Sequence, residues 1–180
     1  MGSTSAAAPA TVTPITAAAH AFVDDLDAPR LAPDDHHHLA RVLRLAPGTL
    51  ITVGDGAGRW RPVRLAAGDQ PAVEIAGDVV ADPRPDPRIT IAFALVKGDK
   101  PELTVQKVTE LGADRIVPFV AERSVVRWDG AKATRHGERL ATIARQAAMQ
   151  SRRTWVPEVA PLATFGEAAR LPGAALADQA

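Results

Sequence analysis

Residues 82–96 read DPRPDPRITIAFALV, and this stretch decides the fold. Its first part, DPRPDPR at 82–88, carries prolines at 83, 85 and 87. Each proline pushes the residue before it toward an extended backbone, so 83–88 reads as a stiff connector and a domain boundary. Its second part, ITIAFALV at 89–96, is an unbroken apolar run. Such a run predicts a strand buried on both faces, as in the middle of a parallel sheet.

Downstream of the run, strands and helices alternate. A helix is expected over 101–111, with proline in its first turn and Gly112 at its end. Pro101, Val105, Val108 and Leu111 would face the sheet. A second strand is expected at 115–121, and then a long helix at 137–153 with Leu140, Ile143, Ala144 and Ala147 inward. A third strand at 155–159, a short helix at 164–171 and the start of a fourth strand at 174–177 complete the pattern. Alternation of this kind predicts an α/β class domain with a parallel sheet, here one whose closing elements are not reached by residue 180.

Upstream, residues 20 to about 80 are mainly strand. LITV at 50–53 leads into GDGAG at 54–58, where positive φ is cheap, and RWRPVRL at 59–65 alternates. A Val/Ile-rich run follows at 72–80. Short strands between glycine-rich turns predict a small β-barrel over 20–82. The one helical insert is 33–45, opened by proline and closed by Pro47-Gly48. Residues 1–19 are Ala, Thr, Ser and Pro-rich without charge and read as a flexible tail.

Of the 180 residues, 46% are hydrophobic and 23% charged, which fits a folded chain. Lys+Arg and Asp+Glu are equal at 21 each, so a nucleic-acid site must come from clustered charge. No cysteine is present, which excludes disulfides, thiolate metal sites and cysteine nucleophiles. Aromatics make up 4% with no tyrosine, so a broad stacking platform for bases is not expected. No apolar run nears the ~20 residues that span a bilayer, so no membrane partner is expected. The N-terminus lacks a basic region followed by a hydrophobic one, and a cytoplasmic location is the expectation.

Several clusters could carry chemistry. His38, Arg41 and Arg44 lie three apart in HLARVLRLAPG (38–48) and would share one side of a helical turn as a phosphate-binding strip. A solvated helix face has the same spacing. Arg59, Arg61 and Arg64 add positive charge nearby. His36, His37 and His38 are consecutive and point in different directions, which makes a poor metal site; no metal is expected. Lys97 sits in a loop that leaves a strand and enters a helix, the edge at which open α/β sheets bind ligands. Lys107 and Glu110 share a helix face and fit a surface ion pair equally well. Gln146, Gln150 and Arg153 form a polar stripe, and Arg152 and Arg153 complement a helix C-terminus.

Four stretches taken together say more: HLARVLRLAPG (38–48), ALVKGDKPELTVQKVTELGADRIVPFVAERSVV (94–126), ARQAAMQSRR (144–153) and WVPEV (155–159). In that order they resemble the ribosomal RNA small subunit methyltransferase E family, 16S rRNA (uracil-N3) methyltransferases of the knotted SPOUT class. The resemblance covers about residues 20–180. It implies a PUA-like RNA-binding β-barrel at 20–82, the 83–88 linker, and the N-terminal part of a SPOUT-type domain at 89–180. It further implies S-adenosyl-L-methionine as cofactor, 16S rRNA in the small ribosomal subunit as partner, and a homodimer.

On the family's motifs fall His38, Arg41 and Arg44 in the barrel, and Lys97, Gln106, Lys107, Glu110, Gln150 and Arg153 in the second domain. The resemblance implies Arg153 and Glu110 as catalytic candidates, for charge stabilisation and as base. RNA contacts are expected from His38, Arg41, Arg44, Arg59, Arg61, Lys97, Lys107, Gln150 and Arg152. Met149 stands where relatives often carry an acid. The family's Gly-Pro-Glu-Gly-Gly loop and Leu-Arg-x-Glu-Thr-Ala segment are absent from the sequence, so the chain is expected to be a partial form with the cofactor motifs beyond Ala180. A non-catalytic RNA-binding or assembly module is the alternative.

Overall fold

GDGAG turns the chain between two strands that organise the first half of the protein, β2 (Leu50–Gly54) and β3 (Arg59–Leu65). A computed structural model describes residues 12–67, 72–124, 126 and 128–177. Gly56 and Gly58 take φ of 74° and 88°, which only glycine adopts freely. The strands pair antiparallel from Leu50↔Arg64 to Gly54↔Trp60. β1 (His20–Phe22) lies parallel to β2 on the other side. β4 (Val73–Ile75) and β5 (Val80–Ala81) both pair with the far side of β3, giving a five-stranded mixed sheet. Ile51, Val53, Trp60, Val63 and Leu65 are buried with Phe22, Leu31 and Leu39.

The run at 72–80 divides into two strands because β3 changes partner partway. β5 meets Arg59 and Trp60, and β4 meets Val63 to Leu65. Pro62, which has no N–H to give a ladder, lies at this break against Gly77. The helical insert is α1 (Pro33–His37), followed at once by a π-helical turn at His38–Val42. Part of the segment read as a tail, residues 12–19, carries a turn closed by Ala17 N–H to Thr13 C=O at 2.9 Å, and Ala17 and Ala19 are buried. For those residues the tail reading is corrected; residues 1–11 lie outside the described ones.

The chain divides into two units. The first takes residues up to Asp55 and Arg59–Ala81; the second takes Gly56–Gly58 and everything from Asp82. In the second, β6 (Thr90–Ala94) and β7 (Arg115–Val120) pair in parallel from Thr90↔Arg115 to Ala94↔Phe119. On the other side of β7, β8 (Glu158–Val159) pairs with its beginning and β9 (Ala163–Thr164) with its end. The expected third strand is thus displaced and split; Pro161 sits in the break, where a ladder N–H would be missing. A single pairing of Ala57 with Trp155 accompanies it.

Two helices connect these strands, α2 (Lys100–Glu110) and α3 (Gly130–Gln150). Both contribute to one core: Val105 of α2, Leu140 and Ala144 of α3, with Ala113 and Ile116, flanked by Ile91, Phe93, Val108, Trp128, Ile143 and Val159. α4 (Phe165–Ala168) opens with a capping box in which Thr164 and Glu167 satisfy each other's backbone N–H.

Four further expectations are corrected. β6 is not buried on both faces: Ile91 and Phe93 pack against the core that α2 and α3 share, while Thr90 and Ala92, on the alternate face, are exposed. Leu111 is 84% exposed, since α2 ends at Glu110 and the chain turns at Gly112, φ 102°. α3 begins seven residues before the expected 137, at Gly130. Residues 174–177 form no strand; the fourth strand is β9.

Candidate functional site

In a parallel sheet the helices run back against the strands, so each strand's carboxyl end meets the first turn of the next helix. β6 leaves through Lys97 and Gly98 (φ 81°) into α2. The chain after β7 passes Trp128 into α3. These pieces enclose a cleft of about 230 Å³ whose lining includes Gly98, Glu102, Trp128, Lys132, His136 and Arg139. The Trp128 and His136 rings are stacked, centroids 4.2 Å apart and planes 7° from parallel. Arg139 grips Glu102 with two bonds, Nε to Oε1 at 2.7 Å and Nη2 to Oε2 at 3.0 Å. Neither Asp99 nor Asp129, the residues before the two helices, caps the helix with its side chain. The positive dipole ends of both helices are turned toward this edge, although the Lys132 N–H is taken by the Asp129 carbonyl at 2.9 Å and Pro101 has no N–H to offer.

Of the expected site residues of this unit, only Lys97 lies at the carboxyl edge, exposed. Trp128, Lys132, His136 and Arg139 were not anticipated. The signal was present, since they lie just before or within the first half of a helix that follows a strand. Placing the helix start at 137 hid it.

The two catalytic candidates sit at the opposite, amino edge. Arg153 follows α3 and is 14% exposed at its side chain. Its Nη1 donates to the carbonyls of Thr109 (2.8 Å) and Ala113 (2.7 Å), and its Nη2 lies 3.4 Å from Asp114 Oδ1. Asp114 in turn accepts from the Ile89 N–H at 2.9 Å. Arg153 thus ties the end of α2 to the starts of β6 and β7. Burial lowers its pKa from the ordinary value, and the Asp114 carboxylate opposes that.

Glu110 accepts from Lys107 Nζ at 2.8 Å and from Gln106 Nε2 at 2.9 Å. The Lys107 hydrogen bond, then that of Gln106, hold its carboxyl below the ordinary range, which makes it a weaker base. Lys107 is committed to that carboxylate. Gln150 is exposed as the last residue of α3. Arg152 has positive φ, 59°.

In the first unit the His38–Arg41–Arg44 strip does not form as one helical side. The turn at His38–Val42 is π-helical, closed by Leu43 N–H to His38 C=O, so a spacing of three no longer returns to the same side. Arg44 leaves it with φ 54°. Arg41 and Arg44 are exposed and His38 half-buried. Arg59 is exposed and pairs with Asp55 at 2.8 Å.

Arg61 is corrected outright as an RNA contact. It is 9% exposed. Nε and Nη2 donate to Gly77 C=O at 3.0 and 2.8 Å, and Nη1 donates to Leu26 C=O at 2.9 Å. The guanidinium fills the break where β3 changes partner. Among the described residues no group of three or more His, Cys, Asp and Glu is placed to hold a metal. No described helix is long and apolar enough to cross a membrane.

Residues 83–176 match the family model described as RNA methyltransferase domain, and residues 31–75 match RNA methyltransferase PUA domain. Ribosomal RNA small subunit methyltransferase E of Mycobacterium bovis is 36% identical over 127 residues, 70% of this chain and 48% of that protein. The protein of the same name from Bacillus subtilis is 37% identical over 134 residues, 73% of this chain and 52% of that one. A crystal structure of a ribosomal RNA small subunit methyltransferase E from Neisseria gonorrhoeae, bound to S-adenosyl methionine, superposes with a TM-score of 0.69 at 29% identity. It covers 86% of this chain and 66% of that one. The chain spans about half the length of the curated relatives it matches. The match at 83–176 takes in over half of the 180 residues, and the chain belongs to the RNA methyltransferase family whose members include the proteins named ribosomal RNA small subunit methyltransferase E, with a PUA domain ahead of the methyltransferase domain.

Proposed function

We propose that the whole protein is an S-adenosylmethionine-dependent methyltransferase acting on N3 of a uridine in 16S rRNA of the small ribosomal subunit, in the cytoplasm and as a homodimer. The observation that carries this reading is the succession of the two matched domains, PUA at 31–75 and methyltransferase at 83–176, in a chain whose named relatives modify small-subunit RNA. The domain limits follow the same reading: a PUA-like unit over 20–82, a linker at 83–88 and methyltransferase residues from 89.

Methyl transfer needs a nucleophile. Uridine N3 is a poor one until its proton leaves, so the site must meet developing negative charge on the base with cations or hydrogen-bond donors. In this chain the cations at the ligand-binding edge of the sheet include Lys97, Lys100 and Lys132, all exposed. Arg153 acts as a positioning residue that fixes the frame of the sheet. Glu110, held ionised by Lys107 and Gln106, serves the same helix end. Phosphate contacts are assigned to Arg41, Arg44 and Arg59 in the first unit, with His38 beside them. Gln150 and Arg152 are assigned to the RNA surface of the amino edge.

The donor supplies an activated methyl group and its own leaving group. The carboxyl-edge cleft measures about 230 Å³, while pockets for ligands of that size run from about 300 to 1,000 Å³. The residues lining it do not by themselves fit the whole donor. Calorimetry on the 180-residue chain is expected to give binding of S-adenosylmethionine weaker than micromolar; micromolar binding would contradict this. For the activity, whole protein is incubated with assembled small subunits and labelled donor, and the methyl group is located by mass spectrometry. The expected product is 3-methyluridine in 16S rRNA. Methyl on tRNA or protein, with none on 16S rRNA, would remove the assignment.

A further inference from the structure

The cleft at the carboxyl edge of the second unit has the size of a ring. It holds about 230 Å³, and an apolar cavity of about 150 Å³ suffices for benzene. Its most unusual feature is a preformed aromatic surface, the parallel Trp128–His136 pair, in a chain with 4% aromatics. Every nucleobase has a π-face that such a surface can hold.

Its surroundings carry cations that can meet an anion. Lys132 opens onto the cleft, and Lys97 and Lys100 stand on the adjoining loop and helix start. None of these three ammonium groups makes an ion pair among the described residues. The 11-residue α2 and the 21-residue α3 both begin here without side-chain caps. Lys132 and the two helix dipoles favour a phosphate; Asp99 and Asp129, directly before the helices, oppose it, and the Glu102 charge is met by Arg139.

We propose that this cleft binds one unpaired nucleotide of the RNA substrate, with its base laid against the Trp128–His136 stack and its phosphate held by Lys132 and the first turns of α2 and α3. The inference rests on the reading that the protein acts on RNA, and it assigns where a single base enters. Glu102 and Arg139, bonded to each other, wall the cleft and hold α2 to α3 beside it. An enzyme that reacts at a ring nitrogen needs the base out of a helix, and a ring-sized recess on the ligand-binding edge meets that need.

The test measures a labelled single-stranded oligouridylate binding to whole protein by fluorescence anisotropy. Trp128→Ala is expected to weaken binding by about 5- to 100-fold, and Trp128→Phe to retain most of it. Trp128 also touches the core, so His136→Ala serves as a second variant; it too is expected to weaken binding. Lys132→Ala should lower affinity and reduce the slope of log affinity against log salt by about one contact's worth. Affinity for S-adenosylhomocysteine should stay unchanged in all of them. Oligouridylate affinity unchanged across these variants would overturn the proposal, as would a parallel loss of S-adenosylhomocysteine binding, which would give the cleft to the donor. If the variants behave as expected but no methyl appears on 16S rRNA, the cleft stands and the proposed reaction falls. Normal methylation with indifferent variants gives the reverse.

Discussion

Arg61 and Arg153 read in the sequence as cations free to meet RNA or substrate, and each is consumed by backbone carbonyls. Arg61 serves Gly77 and Leu26, and Arg153 serves Thr109 and Ala113. Removing either leaves buried acceptors unpaired, so Arg61→Ala and Arg153→Ala should each destabilise the protein by about 2–4 kcal/mol in urea denaturation. Arg59→Ala removes an exposed ion pair and should shift stability by less than about 1 kcal/mol. If Arg153→Ala kept full stability while losing activity, the positioning role would fail. Glu110 offers a titration test. Its folded pKa is depressed, so the stabilisation it provides is present above the unfolded value, about 4.3, and is lost as pH falls through the folded value. NMR titration should place its midpoint below that of an ordinary glutamate. Lys107→Ala should move it upward, because the Lys107 bond is the largest cause of the shift.

At the level of elements, periodicity marked the inward face of α3 correctly and overran the end of α2. Leu140 is 1% exposed and Leu111 84%, although both were expected to face the sheet. Leu140→Ala should cost about 2–5 kcal/mol and Leu111→Ser less than about 0.5, read from the midpoints of chemical unfolding. The difference arises because Leu111 follows the last helical residue, and the bonds Gly112 N–H to Thr109 C=O and Ala113 N–H to Val108 C=O turn the chain away there. The π-helical turn has a related effect in the first unit. It keeps Arg41 and Arg44 at the surface but breaks the three-residue strip that an α-helix would have made.

For the whole molecule, zero net charge means that RNA affinity must come from local cation clusters. Binding should therefore fall steeply with salt, by roughly 0.7 log units per decade for each single-strand phosphate contacted. Charge reversal at Arg41 and Arg44 should weaken it further in filter-binding assays at fixed salt; unchanged affinity would remove the first unit from the RNA surface. Within the second unit, helix direction sorts the residues. The ends of α2 and α3 bring Glu110, Gln150 and, just past α3, Arg153 to the amino edge, and their first two turns bring Lys100, Lys132 and His136 to the carboxyl edge.

The sequence by itself determined the two-part plan, the strand–helix alternation after DPRPDPR, the β2–β3 hairpin and the family. These rest on local signals, namely proline spacing, glycine turns, apolar period and motif order, which do not need the rest of the chain. Only the tertiary structure decided which charged side chains are available. Whether a guanidinium reaches RNA or a carbonyl depends on residues 16 to 44 positions away, as Arg61 with Gly77 and Arg153 with Thr109 demonstrate. Composition and spacing carry no record of such distant partners. The pairing of Trp128 with His136 across the start of α3 was hidden for a nearer reason: it depends on where that helix begins, and helix starts are set by tertiary packing as much as by local propensity.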